Sequence, residues 1–183
     1  MKKFILGLIA GLILVPVGVL VCFLAGVVPV ATSAPPMPFE KTLAKMGLNA
    51  KLKSEAPKDA PFAADEQTYI AGAQTYRQNC AVCHGLPQQE STAIAKGMFP
   101  KPPQLFKDDG VTDDPAGVTY WKVANGIRLS GMPSFDHILS DQQMWQVTLL
   151  LANANKPLPP AATVMASPAP ENPPAPPAQE KKK

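Results

Sequence analysis

Cysteine is scarce: three in 183 residues, two of them separated by only two positions. That excludes a disulfide framework, which needs more pairs at wider spacing. A basic stripe is missing as well. The formal net charge is +3, but Lys2, Lys3 and Lys181–Lys183 stand apart from the rest, and Pro57 to Lys156 holds eight basic and ten acidic residues, a net of −2. Nothing there gives a nucleic acid an electrostatic footprint. Strands are not signalled either: no alternating apolar pattern and no hairpin turn occurs.

Charge is absent altogether from Phe4 to Val28, a run preceded by Lys2 and Lys3. Twenty-five helical residues would reach about 37 Å, enough for a hydrocarbon core of roughly 30 Å. The run exceeds the usual apolar region of a cleaved signal peptide, although Ala31-Thr-Ser-Ala34 offers a weak cleavage site. Cys22 lies inside the run after Val21, where a lipoprotein signal would carry a small residue. The flanking lysines place the N-terminus in the cytoplasm. The expected location is a single-pass inner-membrane protein with the remainder in the periplasm or an equivalent compartment.

The expected division is a transmembrane anchor over 1–31, a linker over 32–64, a domain over 65–156 and a Pro/Ala-rich disordered tail over 157–183. Ala34-Pro-Pro-Met-Pro38 reads as a stiff exit. Phe39 to Lys53 reads as a short amphipathic helix, packed on the domain or lying at the membrane surface, or else as a spacer. Within the domain three helices are predicted. One starts after Asp65 and ends near Asn79, one runs from Asp113 or Asp114 to Gly126 with Pro115 at its first position, and one begins at Ser140 with Gln143 completing a capping box. The domain reads as all-α.

Cys80-Ala81-Val82-Cys83-His84 has the spacing of covalent haem attachment. Two intervening residues set the thiols at the separation of the haem vinyl groups, and His84 follows as the proximal iron ligand. Two other chemistries use such cysteines. A thioredoxin-type dithiol would follow a strand rather than a helix. A structural zinc site needs a fourth ligand, for which His137 is the candidate. One motif means one covalent haem c, and its sixth ligand must come from elsewhere. Met98, Met132, His137 and Met144 are available, or the position is open. Met132 is favoured: it sits between Gly131 and Pro133 on a constrained loop, whereas Met144 lies in a helix.

Together these segments resemble the class I cytochrome c family in its short bacterial monohaem form, from about Asp65 to Asn155. The resemblance rests on Tyr76-Arg-Gln-Asn-Cys80-Ala-Val-Cys83-His84-Gly85, on Pro103-Gln-Leu105, on Gly126-Ile-Arg-Leu-Ser-Gly-Met132-Pro133 and on a last helix opening with Leu139-Ser-Asp141. It implies that the first and last helices cross beside the haem, Gly72 and Tyr76 meeting Trp145 and Leu149. It also implies that the Pro103 carbonyl, with Pro102 adjacent, accepts a hydrogen bond from His84, and that Trp121 and Arg128 are candidates to bind haem propionates. For Arg128 a solvated loop charge fits equally.

The expected function is single-electron transfer between redox partners, as a membrane-held shuttle or as the cytochrome subunit of a respiratory oxidoreductase, and not catalysis by the chain itself. Ligation by His84 and Met132 would close both faces of the iron. The alternatives are a haem enzyme or gas sensor with an open or switchable sixth position, and a structural haem subunit docked through its tail.

Overall fold

The computed structural model of the chain describes residues 1–107 and 111–167. It falls into two compact units, residues 1–47 and the chain from Leu48 onward. Among the described residues the regular structure is helical, with one isolated bridge between Ile127 and Met132.

The first unit is dominated by α1, Lys2–Leu24, which runs unbroken through Pro16 and buries no residue. Its mean hydropathy peaks at 2.8, and it is long and apolar enough to cross a membrane. It stops four residues short of the apolar run. Gly26 takes φ +69°, and the Gly26 and Val27 amides donate back to the Phe23 and Cys22 carbonyls, closing the helix with a Schellman turn. At about 1.5 Å per residue α1 still reaches roughly 34 Å. α2, Glu40–Glu55, realises the helix anticipated after the proline-rich exit and continues into the second unit.

The second unit is built on α3, Glu66–Asn79, followed by two short helices, α4 at Ala81–His84 and α5 at Ala93–Gly97. α6, Ala116–Asn125, and α7, Asp141–Leu151, then pack together and α7 packs on α3. Asp65 caps α3, its side chain accepting from the Thr68 amide, and the Ser140–Gln143 capping box opens α7. Pro115 caps α6 from outside instead of occupying its first turn. Thr92 opens α5, which no long periodicity announced: its hydroxyl accepts from Ala95 N and donates to the Val82 carbonyl.

Tyr76, Val147, Leu150 and Leu151 are almost wholly buried and centre the core, with Ala73, Val123, Phe135, Leu139 and Met144 around them. Each such large apolar side chain contributes about 1.5–3 kcal/mol by leaving water. The α3–α7 crossing depends on Gly72. A Cβ there would lie 2.4 Å from the Gln146 carbonyl oxygen and 3.1 Å from Leu150 Cβ. Gly72 therefore meets Gln146 and Leu150, one residue along α7 from Trp145 and Leu149. Trp145 instead stacks on Tyr120 of α6, with ring centroids 4.1 Å apart.

The tail departs from expectation. Disorder was expected from Pro157, yet α8, Pro160–Ala166, packs on α3 and buries Ala162 and Ala166. Pro160 sits at the start of a helix, where its fixed φ and missing amide cost nothing. Two alanines four apart make a face small enough for close approach. The rest of the expected tail, 168–183, lies outside the described residues.

Gly72→Ala should destabilise the haem-loaded chain by about 1–3 kcal/mol through overpacking, measured by chemical denaturation. An unchanged midpoint would contradict the close crossing.

Candidate functional site

α3 delivers the candidate site directly. The Cys80 amide donates to Tyr76 O at 2.8 Å, ending α3, and Cys80 O then accepts from Cys83 N at 3.1 Å and His84 N at 2.9 Å. One turn thus carries both thiols and the imidazole. Cys80 and Cys83 are unpaired and half-buried. Burial, with Cys83 nearby, pushes the Cys80 thiol up to about 12, the opposite of the activated thiolate that a redox dithiol requires. Among the described residues no three His, Cys, Asp or Glu side chains converge as metal ligands do.

His84 is held from behind. Its Nδ1 lies 2.7 Å from the Pro103 carbonyl oxygen. A carbonyl can only accept, so Nδ1 carries a proton, and in the neutral ring Nε2 then keeps its lone pair. Burial lowers the His84 pKa, with the Pro103 carbonyl pulling weakly the other way, which favours the neutral ring. Of the two adjacent prolines, Pro103 makes the bond. The segment that presents it is tied down: Gln104 Nε2 donates to Gln89 O at 2.8 Å. The buried Tyr76 hydroxyl donates to Gly85 O at 2.6 Å, and its ring meets Phe106 edge-on at 4.9 Å. Sequence marked Tyr76 for packing; its bond to Gly85 had no signal.

Met132 sits on a closed loop. Gly126 has φ +67°, and a Cβ there would lie 2.7 Å from Met132 O and Ser134 N, so only glycine admits the return strand. Ile127 N donates to Met132 O at 3.1 Å. Ser130 Oγ donates to Ile127 O at 2.6 Å and accepts from Met132 N at 3.3 Å. Phe135 N then donates to Val123 O at 3.1 Å, pinning the loop to α6.

The remaining candidates divide. Met98 lies against this loop, its methyl 2.7 Å from where a Gly131 Cβ would be. Met144 is buried in the core. His137 is exposed beside Asp136 at 3.3 Å. Arg128 is exposed and makes no ion pair among the described residues. Trp121 Nε1 donates to Glu55 Oε2 at 3.2 Å. Glu55 lies 66 residues away in the linker, a separation no local pattern reveals.

Residues 67–150 match the family model described as cytochrome C oxidase, cbb3-type, subunit III. The segment is a class I c-type cytochrome domain. Among curated proteins none matches the chain. The cytochrome domain implies a c-type haem, and the residues present suit one: two unpaired thiols on the turn that carries an imidazole with its Nε2 lone pair unspent.

Burial raises the Tyr76 pKa well above its ordinary value, and Tyr120 is pushed up to about 12 by burial and by its bond to Asp141. The folded cytochrome therefore holds these protons more tightly than the unfolded chain. Their stabilisation is complete below about pH 10 and is lost as pH rises beyond it. Tyr76→Phe should cost about 1–3 kcal/mol at neutral pH by orphaning the Gly85 carbonyl. It should also flatten the alkaline loss of stability, followed by denaturation at stepped pH. An unchanged alkaline slope would contradict the assignment.

Proposed function

We propose that the cytochrome domain would hold one haem through thioethers at Cys80 and Cys83, with His84 and Met132 as ligands to its iron, and so relay single electrons. The bound haem supplies the one-electron ferric–ferrous couple. The chain's own contribution is rigidity. Pro103 fixes the His84 tautomer and ring plane, which keeps Nε2 basic and aimed. The Gly126–Ser134 loop limits the freedom of a thioether, a weak ligand that loses little by detaching unless its backbone is held. The observation that carries this reading is the 2.7 Å bond between His84 Nδ1 and the Pro103 carbonyl, on the turn that also bears both thiols.

We further propose that α1 anchors the chain in a membrane, with the N-terminus cytoplasmic and the haem domain on the outer face. The family match supports service to a membrane oxidoreductase, as a shuttle or as its cytochrome subunit. Tethering would raise the local concentration of such partners.

Two variants test the ligand set. Met132→Ala should keep the haem attached but abolish the weak far-red band of a sulfur-ligated ferric haem, lower the reduction potential and admit carbon monoxide; an unaltered spectrum would contradict the assignment. Cys80→Ala combined with Cys83→Ala should leave no haem stain on a denaturing gel, and surviving stain would place the attachment elsewhere.

A further inference from the structure

α2 carries two apolar stripes. At about 3.6 residues per turn, Leu43, Met46 and Ala50 fall in one narrow sector, with Phe39 just before the helix at φ +64°, while Leu48 and Leu52 lie on the opposite side. The second stripe is spent. Leu52 is buried, Glu55 bonds Trp121 on α6, and the Pro57 carbonyl occupies the place of a Gly117 side chain, 1.6 Å from where its Cβ would stand. This end of α2 is fixed to the cytochrome domain.

The first stripe is bare. Phe39, Leu43 and Met46 are 77%, 65% and 63% exposed. Single exposed apolar residues are ordinary, but Leu43 and Met46 on one face of a helix, with Phe39 just ahead of them in the chain, are a surface. Positive charge accompanies it: from Glu40 to Lys58 there are five lysines against two glutamates. Only residues 25–39 separate the helix from α1, a connection of at most about 50 Å when fully extended. Three side chains offer only a few hundred Å², well short of the roughly 1,200–2,000 Å² of a stable protein interface. Lys53 falls at the edge of this stripe and Lys51 on its flank, while Lys41 and Lys45 lie across the helix; an apolar stripe on a helix with surplus positive charge suits a headgroup layer, with the ammonium groups in water.

We propose that the Phe39, Leu43 and Met46 face of α2 lies in the headgroup region of a membrane containing anionic phospholipid, while its other face grips the cytochrome domain. α2 would then set the height and tilt of the haem above the bilayer, in place of a free tether. The proposal rests on the reading of α1 as a span, and its test separates the two.

The test uses the haem-loaded full chain with Cys22→Ser, in vesicles of phosphatidylglycerol and phosphatidylethanolamine. Nitroxide labels go on Leu43→Cys, on Lys45→Cys across the helix, and on Leu14→Cys within α1. Collisions with oxygen report lipid, and collisions with a water-soluble nickel chelate report solvent. The label at 43 should favour oxygen several-fold over the label at 45, with a smaller contrast in phosphatidylcholine. Equal exposure of 43 and 45 to nickel while 14 stays in lipid overturns the α2 proposal alone; nickel access at 14 as well overturns the anchor too. Protection of 43 from both reagents means a protein contact and contradicts a lipid one. An undiminished contrast in phosphatidylcholine contradicts the electrostatic part of the proposal.

Discussion

A single hydrogen bond governs the chemistry available to this cytochrome domain: the one from His84 Nδ1 to the Pro103 carbonyl. Proline cannot donate, so its carbonyl is offered without a competing amide, and the imidazole has only one nitrogen left to give. Everything that positions Pro103 therefore positions Nε2. Gln104 bonds the Gln89 carbonyl, the Tyr76 phenol closes on Gly85, and Phe106 lies edge-on to Tyr76. Tyr76 in turn lies on α3, whose place is fixed by its close crossing with α7 at Gly72. A core contact thus reaches the candidate iron ligand through a short series of packed groups.

The Met132 loop follows another logic. Met132 is not clamped by a bond to its sulfur but by its own backbone: Gly126 admits the returning chain, and Ser130 bridges the loop's two limbs. A thioether has no proton to orient it, so only restriction of the chain can hold it in one place. The two candidate ligands illustrate two ways of preorganising a side chain, one through a hydrogen bond to the side chain and one through the loop that bears it.

Local features were legible in the sequence and long-range ones were not. The α3 and α7 starts could be read from Asp65 and from Ser140 with Gln143 because capping acts within three residues. The Cys80–His84 motif was read from its own spacing, and Pro103 through resemblance to a known family. The pairing of Trp121 with Glu55 was not, since it is a hydrogen bond between a linker residue and a domain helix 66 residues apart. α8 was misread because proline content signals both extended chain and helix starts; what decided it was the burial of Ala162 and Ala166 on α3.

The central claim is a single haem bonded through Cys80 and Cys83, and mass spectrometry of the mature chain tests it most directly. The account predicts that the denatured polypeptide weighs more than its sequence by one haem, and that the proteolytic peptide containing residues 80–84 carries the whole excess. A denatured chain at the bare polypeptide mass, or an excess on any other peptide, would contradict it.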